Sequence, residues 1–230
     1  MVRPMKKLTI ERRRPGRPPS PISRSRLIEV AREVFAQKGY AGSSLSEIAN
    51  LAGLRKASLY HHFPSKDSIY LAVLDELVHA IRDQFIASEV PLGGYTARLE
   101  DAVGRALDYL EANVEGARIL ARDMIDFGPF MQAHGQETVS LTLQMWANFL
   151  RRGMDAGEFK KQSPEQLIIS LVGMALYTYA TDDISSRLLS VDSSESRRER
   201  LMVPIKALCL QQDLIHFPEP APQITPVAAL

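Results

Sequence analysis

Apolar side chains recur three or four residues apart along most of this chain, which is the spacing of one face of an α-helix. Between Leu27 and Phe35 the apolar positions follow this rule, and Gly39 then supplies the stop signal of a helix C-terminus. Strict alternation of apolar and polar residues, the pattern of a half-buried strand, does not recur, and no hairpin signal occurs. The pattern therefore predicts an all-α protein.

Helix-breaking residues divide the rest of the chain into further segments. Gly53 and Pro64 separate the first of them, and Gly128-Pro129, Gly157 and Pro164 separate later ones. The predicted helices after the first cover roughly residues 45–52, 55–63, 65–85, 96–112, 115–127, 130–156, 164–186 and 194–213. Pro204 lies inside the last segment, where it either kinks the helix or marks its true start.

Charge is divided unevenly along the chain. The net charge is +1, but residues 1–63 contain 13 lysines and arginines against 4 acidic residues, whereas residues 64–230 contain 15 against 23. A basic segment joined to an acidic one is the footprint of a polyanion-binding module attached to a part with another role. A solvated basic tail without a partner is the alternative.

Composition excludes several classes of protein. Cys209 is the only cysteine, so neither an intramolecular disulfide nor a metal site built from several cysteines can form. The most apolar stretch, residues 167–180, is too short to span a bilayer, and the basic N-terminus lacks the apolar core of a secretory signal. No common enzyme motif occurs, and no metal or cofactor is expected. We therefore expect a cytoplasmic protein that is not an enzyme and does not bind a membrane.

Residues 44–63, SLSEIANLAGLRKASLYHHF, contain the strongest local signal. Ser44 and Glu47 have the spacing of a capping box at the start of a short helix, and Gly53 suits a tight turn before a second one. Apolar residues of the two helices can pack together, and no carboxylate occurs from Leu54 to the end of the segment. The segment predicts a helix-turn-helix whose second helix enters the major groove of DNA. An ordinary helical hairpin is the alternative.

Residues 39–74, GYAGSSLSEIANLAGLRKASLYHHFPSKDSIYLAVL, resemble the N-terminal signature of TetR/AcrR-type transcriptional regulators. Two positions depart from it: Arg55 replaces a small residue that caps the recognition helix, and Ala57 replaces a common glycine. The resemblance implies a phosphate contact for Ser44, base contacts for Lys56, Ala57, Ser58 and Tyr60, and phosphate contacts for His61, His62 and Lys66. Arg55 would add another phosphate contact.

The basic tail carries its own signal. Arg14 and Arg17 flank Pro15-Gly16, and arginines on such an extended backbone fit a narrow minor groove. We predict that both enter the minor groove, with a solvated linker as the alternative.

The acidic part of the chain gathers aromatic residues and methionines. The family resemblance implies that its helices enclose an apolar effector pocket, and ordinary core is the alternative for each of these residues. The predicted ligand-binding residues are Arg118, Arg122, Phe127, Met131, His134, Met145, Trp146, Phe149, Met174 and Tyr177. An arginine there would favour an anionic or acyl-CoA-like ligand.

The last two predicted helices, 164–186 and 194–213, are expected to pair with a second copy across a two-fold axis. The apolar stripes assigned to this homodimer contact include Leu171 and Tyr179 on the first helix and Leu201, Ile205 and Leu208 on the second.

These patterns divide the chain into a disordered basic tail at 1–21, a three-helix helix-turn-helix DNA-binding domain at 22–68, a larger helical ligand-binding and dimerisation domain at 69–216, and a disordered tail at 217–230. We expect a sequence-specific transcriptional regulator that acts as a repressor on a palindromic operator in double-stranded DNA. A small and largely apolar effector is expected to release it from that operator. The alternatives are a nucleic-acid-associated enzyme and a DNA-binding protein without an effector.

Overall fold

The computed structural model describes residues 23–87, 94–189 and 196–210, and it confirms the all-α fold. Within those ranges the only β-type pairing is an isolated bridge between Phe159 and Leu210. No described helix is both long and apolar enough to cross a bilayer. The helices are α1 (Arg24–Gly42), α2 (Leu45–Leu51), α3 (Lys56–His62), α4 (Lys66–Ile86), α5 (Gly94–Ala112), α6 (Val114–Asp126), α7 (Gln136–Asp155), α8 (Pro164–Leu189) and α9 (Arg197–Cys209).

Helix ends follow local chemistry. Gly39 has a φ of 70°, the left-handed conformation of a glycine at a helix end, although helical turns continue beyond it to Gly42. A π-helical turn at Met131–Gly135 precedes α7. Ser196 accepts from the amide of Glu199 at the start of α9, which then continues through Pro204. The idea that Pro204 marks the start of the last helix is therefore wrong.

The helices enclose two hydrophobic cores, and α4 contributes to both. The first core joins α1 to α4 with parts of α6 and α7, and it includes the fully buried Phe35 and Leu59. The second joins α5 with α7, α8 and α9 around Trp146 and Phe159. Ile81 of α4 packs against both cores. Because packed interiors resist deformation, a displacement of α4 in one core must be accommodated in the other.

The stripes predicted to pair two copies of the chain lie inside one copy instead. Leu171 and Tyr179 of α8 and Leu201 and Ile205 of α9 are all buried within the second core. Leu208, which belongs to the predicted stripe of α9, is the exception and is exposed. Among the described side chains, the other exposed apolar residues of α8 and α9 are Ile169, Tyr177, Leu188 and Val203. Periodicity identified the apolar face of each helix correctly, but that face packs against the same chain.

Buried tyrosines and the single cysteine make the fold sensitive to alkali. Burial raises the pKa of Cys209 to about 12, and burial together with the hydrogen bond to Asp67 raises the pKa of Tyr40 to about 12. Burial is also the main cause that raises the pKa of Tyr70 and Tyr179. In the unfolded chain these groups ionise near 9 for cysteine and near 10 for tyrosine.

We therefore expect the free energy of unfolding to stay level up to about pH 8 and to fall steadily as the pH rises toward 12, because only the unfolded state then loses these protons. Urea unfolding at a series of alkaline pH values measures this dependence. Cys209→Ala is the control. It should remove the part of the fall in unfolding free energy that begins near pH 9, where the cysteine ionises in the unfolded chain. An unfolding free energy that does not change up to about pH 11 would contradict the assignment.

Candidate nucleic-acid interface and apolar cavity

The turn between α2 and α3 holds the second helix of the pair in a fixed orientation. Gly53 has a φ of 68°, and the amide of Leu54 donates to the carbonyl of Ala49 at 2.8 Å. Leu59 of α3 and Phe63 at its end are buried, and both side chains belong to the first core. A seven-residue helix is too short to be stable alone, so this anchoring defines which residues of α3 face outward.

The outward surface of α3 is cationic and rich in hydrogen-bonding groups. Lys56, Ala57, Tyr60, His61 and His62 are exposed. Ser58 is half-buried, and the ammonium of Lys56 lies 5.7 Å from the centre of the Tyr60 ring. The helix carries no acidic residue. The surface therefore offers positive charge, hydroxyl groups and ring nitrogens to a polyanion, with no carboxylate of its own to repel one.

The two helix starts at this surface differ in how they are capped. The Ser44 hydroxyl accepts from the amide of Glu47 at 3.2 Å, which leaves its own hydrogen free to donate to a phosphate. Arg55 precedes α3 and forms no side-chain cap. The reciprocal half of the predicted capping box is wrong, because the Glu47 carboxylate pairs with Lys38 of α1 instead. That ion pair ties α2 to α1.

Lys66 has a structural role that the sequence did not indicate. Its ammonium donates to the carbonyls of Tyr40 at 2.8 Å and Ser43 at 3.2 Å, and it lies 4.2 Å from the centre of the Tyr40 ring. These contacts fix the connection between α1 and α2 against the start of α4. They leave one of the three ammonium hydrogens for the predicted phosphate contact.

Arg14 and Arg17 lie outside the described residues, so their insertion into the minor groove stays a prediction.

An apolar cavity lies at the other end of α4, between α4, α5, α6, α7, α8 and α9. Val78 and Ile81 of α4, Trp146 of α7 and Val172 of α8 are among its walls. The cavity has a volume of about 120 Å³ and is partly open to solvent. Among the described residues that line it, none is charged, and the Thr142 hydroxyl already donates to the carbonyl of Thr138 at 3.0 Å. The cavity suits an apolar ligand or an apolar part of one.

Three of the ten predicted ligand-binding residues lie at or beside this cavity. Trp146 forms part of its wall. Met145 and Phe149 line a neighbouring surface groove on the other side of α7. Two of the remaining side chains are instead exposed: Phe127, at 50% of its surface, ends α6 in a left-handed conformation, and Tyr177, at 68%, lies on the outer face of α8. The prediction that both side chains line a pocket is corrected, because neither lines the cavity.

The remaining five predicted residues contact other parts of the molecule. Met131 packs against the first core and Met174 against the second. Arg122 donates to the carbonyl of Ala36 in α1 at 3.2 Å. His134 of the π-helical turn pairs with the carboxylate of Asp75 in α4 at 2.8 Å, and the half-buried Arg118 does not line the cavity. None of Arg118, Arg122 and His134 lines the cavity.

The junction between α6 and α7 is held by the buried carboxylate of Asp123. It accepts from the amides of Phe130 at 3.2 Å and Met131 at 2.9 Å. On its other side lies Tyr70 of α4, whose pKa is raised by burial and further by the charge and the hydrogen bond of Asp123. One acidic side chain thus connects α6, the start of α7 and α4, the helix that reaches from the cavity to the helix-turn-helix.

Comparisons with known proteins agree with this arrangement. A family model described as bacterial regulatory proteins of the tetR family matches residues 27–73, and a model described as a tetracyclin repressor-like C-terminal domain matches residues 96–203. The transcriptional activator FasR of Mycolicibacterium smegmatis is 37% identical over 112 residues, which is 47% of this chain and 49% of that protein. This chain therefore spans about half of the length of FasR.

Two further similarities cover more of the chain. The transcriptional repressor KstR2 of the same species is 26% identical over 167 residues, or 69% of this chain and 78% of that protein. A solved regulatory protein of the tetR family from Rhodococcus RHA1 superposes with a TM-score of 0.67 at 18% identity, covering 82% of this chain and 98% of the other. Both curated relatives carry names of transcriptional regulators and neither carries the name of an enzyme.

Proposed function

This chain belongs to the TetR family of DNA-binding transcriptional regulators, and from that premise we propose that it is a ligand-responsive, sequence-specific repressor that a small, largely apolar effector releases from operator DNA. The observation that carries the proposal is the position of α4. Its first half shares the first core with Leu59 of α3, and its Val78 and Ile81 side chains line the apolar cavity. A ligand in the cavity therefore contacts the helix that supports the DNA-binding surface.

The proposed repressor acts as a homodimer that uses the exposed apolar side chains of α8 and α9. Ile169, Gly173 and Tyr177 follow one another at intervals of four residues along α8, and Val203 of α9 is also exposed. Two-fold symmetry would place two α3 helices at a fixed separation that matches about 34–36 Å, one turn of DNA. An effector releases DNA only if it binds more tightly to the state with a mismatched separation.

FasR carries the name of an activator and KstR2 that of a repressor, so both directions of control occur among the relatives. We favour repression because the proposed coupling requires only that ligand binding weakens DNA binding. A DNA-binding protein without an effector is the competing function, and the two differ in whether any ligand changes operator affinity.

Substitutions on α3 test the DNA-reading part of the proposal. We expect Lys56→Ala and Tyr60→Ala each to weaken binding to the preferred operator by about 1–3 kcal/mol and to relax the preference for individual bases. The operator is first selected from a library of random duplexes with the purified protein. Fluorescence anisotropy with the selected duplex and with single-base variants then measures affinity and preference.

Lys161→Ala is the matched control, since it removes an equal charge from an exposed site between α7 and α8. We expect it to leave base preference unchanged. If Lys56→Ala retains the base preference of the unmodified protein, α3 does not read DNA in the proposed way.

A further inference from the structure

A groove on the surface beside the apolar cavity combines aromatic rings with two cations. Tyr95 and Arg98 of α5 form one side, and Phe149 and Arg152 of α7 form the other, with Phe85 of α4 at its base. The groove is open to solvent and has a volume of about 450 Å³. Unlike the cavity, it offers both apolar and charged surface to a ligand.

The two arginines of the groove are not used in described ion pairs. The guanidinium of Arg98 lies 5.5 Å from the centre of the Phe149 ring, and both residues line the groove. Neither Arg98 nor Arg152 pairs with a carboxylate within the described ranges, whereas the adjacent Arg151 pairs with Glu165 and Asn148. A bound anion would therefore find two cations that no described acid neutralises.

Glu158 lies beside the start of α5, and its carboxylate is committed there. Glu158 accepts from the amide of Thr96 at 2.8 Å at the start of α5, and its backbone hydrogen bonds with Tyr95 and Thr96 lower its pKa. The carboxylate thus interacts with the backbone at the start of α5, and the Glu158 side chain does not line the groove.

A pair of aromatic rings separates the groove from the cavity. The ring of Phe85 lines the groove, that of Trp146 lines the cavity, and their centres are 4.5 Å apart at an interplanar angle of 50°. The two spaces are therefore neighbours on either side of α7, and the Phe85–Trp146 ring pair lies between them.

We propose that the groove binds the anionic head group of an amphipathic effector whose apolar part occupies the cavity. The proposal rests on the proposed ligand response and names the chemistry of its effector. The cavity contains no charge to pair with an anion, and burying an unpaired charge there is strongly unfavourable. The arginines outside supply that partner, and a guanidinium binds carboxylate and phosphate oxygens equally well in geometry.

Trp146 makes the test direct, because it is the only tryptophan of the chain and lies at the wall between the two spaces. We would titrate the full-length protein with decanoate, decyl phosphate and decanol below the concentrations at which they form micelles, and record tryptophan fluorescence. The first two probes distinguish a carboxylate from a phosphate head group, and decanol presents the same chain without charge. We expect at least one anion to bind about tenfold or more tightly than decanol.

The variant Arg98→Gln/Arg152→Gln is expected to remove that preference while leaving the affinity for decanol unchanged. Arg151→Gln is the matched control, since it removes one positive charge next to Arg152 but outside the groove. It should retain the preference. A preference that survives the double substitution, or equal binding of the anions and decanol, would overturn the proposal.

Operator binding of the same preparations separates this proposal from the broader one. Release of DNA by decanol as readily as by decyl phosphate would retain the ligand-responsive repressor and overturn the anionic head group. Absence of any fluorescence change with all three probes would overturn the amphipathic effector, and the DNA-binding function would still be judged by the α3 substitutions.

Discussion

Replacing Leu59 with alanine is expected to abolish operator binding for every DNA sequence. Leu59 is fully buried and anchors α3 in the first core. Truncating a buried leucine typically destabilises a protein by about 2–5 kcal/mol, and a seven-residue helix has no independent stability to retain its orientation. Urea unfolding and anisotropy with specific and random duplexes would measure both effects.

The expected result differs from that of Lys56→Ala, which keeps α3 in place and changes mainly base preference. Ile125→Ala provides a control of similar size, because this α6 side chain is 83% exposed. It should leave stability and operator affinity close to those of the unmodified protein. Operator binding by folded Leu59→Ala protein at normal affinity would show that α3 is not the docked recognition element.

Replacing Asp123 with alanine is expected to have the second large effect. The substitution leaves the amides of Phe130 and Met131 and the hydroxyl of Tyr70 without their buried acceptor. Loss of charged, buried hydrogen bonds of this kind destabilises by about 3 kcal/mol or more, which corresponds to a fall in Tm of roughly 6–12 °C for a chain of this size. Thermal unfolding followed by circular dichroism would measure it.

Asp126→Ala is the matched control, because Asp126 lies one turn further along α6 and is exposed. It should melt within a degree or so of the unmodified protein, as exposed substitutions usually do. Asp123→Asn, which retains one acceptor oxygen, should fall between the two. An Asp123→Ala variant with an unchanged Tm would contradict the role assigned to this carboxylate.

The helix-turn-helix was predictable because its signals are local. Ser44 caps α2 through its own hydroxyl, Gly53 adopts the left-handed turn, and Leu59 and Phe63 are four residues apart on one helix face. None of these features depends on a distant part of the chain. The prediction failed where a residue of another helix competes. The Glu47 carboxylate pairs with Lys38 of α1 and does not hydrogen-bond the start of its own helix.

The cavity and the groove could not be predicted in the same way. Periodicity identifies which face of a helix is apolar, but it does not tell whether that face meets a neighbouring helix or leaves space. The sequence drew attention to large aromatic residues and methionines, whereas the cavity is lined mainly by aliphatic side chains of six helices, such as Val78 and Leu171. Tyr177 belongs to the apolar pattern of α8, yet it lies on the outer face. Arg98, a residue of the groove, carried no local signal at all.

The most direct test of the account is a binding cycle between effector and operator. Operator affinity would be measured by anisotropy with and without a saturating probe, taken from decyl phosphate, decanoate and decanol by its effect on Trp146 fluorescence. We expect the probe to weaken operator binding by about 5–150-fold, and the operator to weaken probe binding by the same factor, because coupling between two sites is reciprocal. A probe that saturates the Trp146 signal while operator affinity stays unchanged would contradict the account and identify a DNA-binding protein without an effector.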